Sequence, residues 1–216
     1  MAKVNPHAMA RMTALSLVLT AGTASAATLR DLPTEVLCEL IDDAEVADAR
    51  AERAHILRLL TLDERAEVRA RAAEAMSSLW PGPGAGVTDE LRRLARDTSD
   101  NVRVSAAVGL ARALERASAP ERIDLVCTWA LSTDTDERLA LARALTWSTP
   151  VFVADLVLEQ LACDESTAVR AAALAAVAKH FHENSSVYAS IVGRCLEDPD
   201  PNVQRLARAL FKRARG

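Results

Sequence analysis

Aromatic residues are almost missing from this 216-residue chain: three Trp, one Tyr and three Phe, or 3%. A β-sandwich or barrel builds its faces from aromatic and β-branched side chains, so that class is disfavoured. Glycine (7) and proline (8) are also scarce, which excludes a collagen-like or bulk disordered chain. The four cysteines, Cys38, Cys127, Cys163 and Cys195, include no C-x-x-C pair. Metal and redox motifs built on that spacing are therefore absent. Nor is there a basic surplus: 26 Lys and Arg face 30 Asp and Glu, for a net charge of −4. Phosphate neutralisation supplies most nucleic-acid affinity, so a nucleic-acid partner is disfavoured. What the chain does have is alanine, 43 times, and alanine is the strongest helix former. The composition predicts an all-α protein whose helices pack closely through small side chains.

The first 27 residues support two readings. Lys3 and Arg11 make a basic start, Met12–Thr23 is modestly apolar, and Ala24-Ser25-Ala26 is a cleavage-like pattern. Alternatively, Asn5 caps a helix with Pro6 in its first position and Gly22 past its end. An intact cytoplasmic N-terminus is the expectation, with export after cleavage following Ala26 as the alternative. Thr and Ser interrupt the apolar run, which disfavours a spanning helix and integral membrane association. The expected organisation is an N-terminal helix or signal-like segment over 1–30, then one repeat domain over 31–216.

The repeat is the strongest signal. DERAEVRARAAEAM begins at Asp63, DTSDNVRVSAAVGL at Asp97, STDTDERLALARAL at Ser132, DESTAVRAAALAAV at Asp164 and DPDPNVQRLARALF at Asp198. An aliphatic slot holds Val68, Val102, Glu137, Val169 and Val203, in steps of 34, 35, 32 and 34 residues. The next position holds Arg69, Arg103, Arg138, Arg170 and Gln204. A fainter copy begins at Asp31, with Val36 in the slot. The slot residue, Ala four later and an aliphatic eight later make one apolar stripe at helical period. The opening Asp is expected to cap the first helix of each pair. Each Arg is expected to reach the Asp of an adjacent copy, giving a structural ladder of Asp63, Arg69, Asp97, Arg103, Arg138, Asp164, Arg170 and Asp198. Second helices are expected at 46–60, 87–96, 121–131, 150–162 and 185–196.

On these residues the chain resembles the HEAT-repeat family, in the short bacterial form related to the bilin-lyase-type repeats. TPR and ankyrin signature residues are absent. The resemblance implies a right-handed α-solenoid of about five to six helical hairpins, in the armadillo-like class. It also implies protein binding on a curved surface, and no catalytic residue. Ser132 in place of Asp, Glu137 in place of Val and Gln204 in place of Arg depart from the pattern. The ladder is expected to be weakest at those copies.

The copies also serve as controls on one another. Counted forward from the slot, Cys127, Cys163 and Cys195 share a place with Leu94, which predicts small core residues. Trp80 matches Leu114 and Phe181 and reads as core. Trp147 falls where other copies carry Ser78, Arg112, Lys179 and Arg213. Trp129 falls where they carry Arg96, Glu165 and Glu197. Two large aromatics at polar slots suggest partner-binding anchors, with packing at a local bend as the other reading. His180 and His182 read as part of a polar loop. The basic residues from Arg205 to Arg215 suit a helix C-terminus and a polar outer face. No nucleophile elbow, P-loop, zinc-protease or dinucleotide motif occurs, so no catalytic, cofactor or metal residue is expected. The function expected is that of a non-catalytic adaptor or scaffold for an unidentified protein partner. The alternative is a HEAT-like DNA glycosylase, for which Trp129, Asp134, Asp136, Arg138 and Trp147 give a loose echo.

Overall fold

The computed structural model describes residues 29–46, 50–80, 85–148, 152–180 and 185–213. The two readings of the N-terminal 27 residues, the Pro81–Gly84 loop and His182 lie outside them. Among the described residues there is no strand. The helices are α1 (Thr34–Val46), α2 (Arg50–Leu60), α3 (Ala66–Ala75), α4 (Ala85–Ala95), α5 (Asp100–Arg116), α6 (Ala119–Ala130), α7 (Thr135–Ala144), α8 (Phe152–Leu161), α9 (Thr167–His180), α10 (Ser185–Cys195) and α11 (Pro201–Arg213). A 3-10 turn, Met76–Leu79, extends α3. No described helix is long and apolar enough to cross a membrane.

The chain divides into two compact units, residues 1–109 and 110–216, with the division inside α5. Within each unit the order of packing is that of stacked hairpins. In the first, α1 packs on α2 and α3, and α3 packs on α2 and α4. In the second, α7 packs on α9 and α9 on α11, while α6 packs on α8 and α8 on α10. First helices thus lie beside first helices in each unit, and in the second unit the second helices form their own layer. This is the helical-repeat solenoid arrangement, in which each copy buries its apolar face only by stacking on its neighbours.

The core follows the sequence stripe. Val68, Val102, Val169 and Val203 are fully buried, as are Ala72, Ala106, Ala173 and Ala207 four residues on. Glu137 takes the third Val slot and is buried as well. Small residues allow the close approach that the alanine content implied, and Gly109 is the tightest case. A Cβ there would press into the backbone carbonyl of Ala73 on α3 and lie 3.0 Å from Leu91 Cδ2. Backbone cannot swing aside as a side-chain tip can. Gly109→Ala is therefore expected to lower stability by about 1–3 kcal/mol despite alanine's better helix propensity. Urea unfolding checks this; an unchanged or raised midpoint would mean that α3 and α5 separate at no cost.

The opening Asp differs in role from the sequence expectation. It does not cap the helix but closes the turn before it. Asp63, Asp97, Asp164 and Asp198 each accept the backbone N–H two residues on, at 2.8–2.9 Å, and the helix starts three residues after the Asp. The short carboxylate reaches its own i+2 amide, as Asx turns do, before any helical N–H is available. In the third copy Ser132 Oγ closes the turn by accepting Asp134 N–H at 3.1 Å. Asp134 then caps α7 by accepting the N–H groups of Asp136 and Glu137.

Candidate functional site

Arg69, Arg138 and Arg170 each grip two turns at once. Arg170 Nη1 donates to the carbonyls of Asp164 and Glu165, at 2.9 and 3.0 Å, in its own copy. Its Nε and Nη2 form a fork onto both oxygens of Asp198 in the next, at 2.7 and 2.9 Å. Arg69 repeats the arrangement with the Asp63 and Glu64 carbonyls and the Asp97 carboxylate, every bond 2.8 Å. Arg138 does so with the Ser132 carbonyl and Asp164, and adds exposed Glu165 at 3.1 Å. Planar, bidentate contact is what guanidinium offers and ammonium does not.

The departures behave individually. Arg103 keeps the carbonyl grip on Asp97 and Thr98, but its carboxylate partner is Asp100 on its own helix, at 3.0 Å. Gln204 retains only the carbonyl half, donating to Asp198 O at 2.7 Å. At Asp63 the preceding copy supplies no Arg, since Leu37 stands in that position. Arg65 takes over, forking onto Asp63 and donating to Leu32 O at 2.6 Å. Sequence reasoning missed Arg65 because it lies outside the repeated slot. Hydrogen bonds from the neighbouring guanidinium hold Asp63, Asp97 and Asp198 below the usual carboxylate range. These residues form a structural framework, closed to ligands by their own pairing.

The two candidate tryptophans separate. Trp129 is 1% exposed and belongs to the core, so it cannot anchor a partner. The reason is register. Counting back from the next copy places Trp129 with Leu60, Leu94, Leu161 and Cys195, all buried. One backbone bond proves the alignment: the opening residue of each copy donates its N–H to the carbonyl three residues earlier, at 3.1–3.4 Å. Trp147 is 49% exposed, at the turn that follows α7. With Trp129 in the core and Arg138 gripping Asp164, the glycosylase-like residues do not assemble on a surface. Trp80 is partly buried.

The same register corrects the cysteines. Cys195 alone is buried; Cys163 is exposed, and Cys38 and Cys127 are intermediate. Burial pushes the Cys195 thiol up to about 11. His180 is no loop residue: it ends α9, is buried, and donates Nε2–H to Leu145 O at 3.1 Å. Among the described residues no group of three or more His, Cys, Asp or Glu could hold a metal ion.

An open groove of about 650 Å³ crosses α1, α3 and α5 within the first unit. Cys38, Ala70 and Val104, each two residues after its slot, line it in one row. Glu67 and Asn101 stand on one side, and Arg71, Glu74 and Ser105 on the other. Ser105 Oγ donates to Glu74 Oε1 at 2.9 Å. Arg71 Nη2 is drawn to Asp42 at 2.9 and 3.0 Å. Burial raises the Cys38 thiol; Glu67, Asp42 and Glu35 add to the rise, and Arg71 opposes it. Sequence reasoning missed this groove, although the row two after the slot was readable from the repeat.

No protein-family model matches the chain, and no curated protein matches it. Solved structures similar to it include an engineered protein at 19% identity, covering 98% of this chain and 97% of that one, with a TM-score of 0.47. The Escherichia coli protein YibA is 20% identical over 86% of this chain and 74% of its own, with a TM-score of 0.45. A designed armadillo repeat protein is 14% identical over 82% and 98%, with a TM-score of 0.43.

Proposed function

We propose that this chain is a HEAT-type adaptor or scaffold that works by binding another protein rather than by catalysis. Trp147 carries the reading. A large aromatic stands half exposed where the other first helices carry Ser78, Arg112, Lys179 and Arg213. Trp is enriched among the residues that dominate interface energetics, and exposed apolar surface costs solubility unless something covers it.

The test is recovery of the tagged protein from its own host after crosslinking, with co-purifying proteins identified by mass spectrometry. A stoichiometric partner is expected with the parent chain and not with Trp147→Ser. That variant is expected to melt close to the parent, since an exposed side chain contributes within about 0.5 kcal/mol. Retention of the partner by the variant would remove Trp147 as anchor. Recovery of nucleic acid without protein would overturn the adaptor reading. The N-terminal peptide in the same data decides whether cleavage follows Ala26.

A further inference from the structure

The groove of the first unit is built by register. Cys38, Ala70 and Val104 form a half-buried floor of small side chains running across three adjacent first helices. One wall comes from the position before the slot, Glu67 and Asn101, and Glu35 holds the same register position on α1. The other comes from the position six after it, Glu74, with Asp42 at the same register position on α1. Glu35 and Glu67 have no ion-pair partner among the described residues. The cation in the groove, Arg71, is turned onto Asp42. The second unit does not repeat this. Its corresponding positions are Asp136, Ala168 and Asn202 on one side and Arg143, Ala175 and Ala209 on the other. Acidic walls over a small-residue floor thus belong to the first copies alone.

The dimensions select the shape of an occupant. Glu67 and Glu74 stand two helical turns apart, ~10 Å along α3. A chain crossing between them over Ala70 meets a carboxylate on each side. Three helices at ~8–10 Å spacing are spanned by about six extended residues. In an extended chain successive side chains point to opposite sides, so alternate residues face the Glu67 wall and the Glu74 wall. Lys and Arg are the side chains long enough and of the right sign to meet them from a backbone lying on the floor.

We infer that this groove seats an extended Lys/Arg-bearing segment of a partner protein, running across α1, α3 and α5 over Cys38, Ala70 and Val104. The inference rests on the adaptor reading and gives the partner's segment its chemistry.

The test is fluorescence anisotropy with the full chain and a labelled, end-blocked peptide of about six lysines, which presents a cation to both walls. Saturable binding that weakens with salt is expected, with no binding of the all-glutamate counterpart. Glu67→Lys combined with Glu74→Lys is expected to weaken binding about tenfold or more. Ala70→Trp, which fills the floor and changes no charge, is expected to do the same. Thermal melts establish that both variants fold. In the parent chain, saturating peptide is expected to slow alkylation of Cys38 and leave exposed Cys163 unaffected. Equal binding of the acidic peptide, full binding by Ala70→Trp, or unprotected Cys38 would each overturn the groove. A partner still captured through Trp147 in that event leaves the adaptor reading standing, so the two failures are distinguishable.

Discussion

Arg170→Ala is expected to destabilise the protein by about 3–5 kcal/mol, the cost of removing one member of a buried ion pair. Its fork onto Asp198 is buried on both sides, so the variant leaves that carboxylate without its cation and two turn carbonyls without their donor. Arg170→Gln should cost less, because Gln204 shows that an amide can reach the turn carbonyl from this position. Arg103→Ala should cost only about 1 kcal/mol, because its pair with Asp100 is far more open, at 29% and 64% exposed. Denaturant melts of the three variants give the ranking directly. Equal effects at Arg103 and Arg170 would mean that the carbonyl grip alone stabilises the stack.

The same contacts set a pH dependence. Asp63, Asp97 and Asp198 have their carboxyls lowered, chiefly by hydrogen bonds from Arg65, Arg69 and Arg170. A carboxyl with a depressed folded-state value contributes stability that is present above its unfolded value, about 3.9. That stability is lost as pH falls through the folded value. The melting temperature should therefore decline on acidification below about pH 4, and less steeply in Arg170→Ala, which has already lost one pair. An acid limb identical in parent and variant would contradict the assignment.

Trp129→Ala is the second large expected effect. The side chain is among the largest of the fully buried ones, and truncation leaves a cavity that α6 and its neighbours cannot close without moving. A loss of about 3–5 kcal/mol is expected. At some 2–4 °C per kcal/mol for a chain of this size, Tm should fall by roughly 10 °C. Trp147→Ser provides the contrast in the same assay. A small effect at Trp129 would place it on the surface after all.

That contrast also shows what was legible in the sequence. The Val slot, the Ala four residues on and the five second helices were readable, because burial demands period 3.6 and the copies enforce it. The position of Trp129 was not, because it was counted through a linker of variable length. The Arg-to-Asp spacing is 28 residues for Arg69 and Arg170 but 26 for Arg138. Forward counting therefore slid Trp129 and the cysteines onto the wrong helical face, whereas the turn at the start of the next copy fixes them. Arg65 and the Asx turns were hidden for another reason. They are local solutions to backbone hydrogen bonding, and periodicity does not encode them. The groove needed three helices side by side, which a one-dimensional register implies only once the stacking is known.

The grip of Arg69, Arg138 and Arg170 on two successive turns has a consequence for how such a chain can lengthen. The stretch from Asp164 to Glu197 brings an acceptor at its head and a donor six residues on. A tandem duplicate of that stretch would meet its parent with both halves of the contact already supplied, so growth by whole copies needs no compensating substitution. A copy that opens with Ser, as at Ser132, lacks the acceptor and cannot be inserted elsewhere on the same terms. The residues that join neighbours are also what makes the array extensible, and one substitution at the head of a copy is enough to remove that property there.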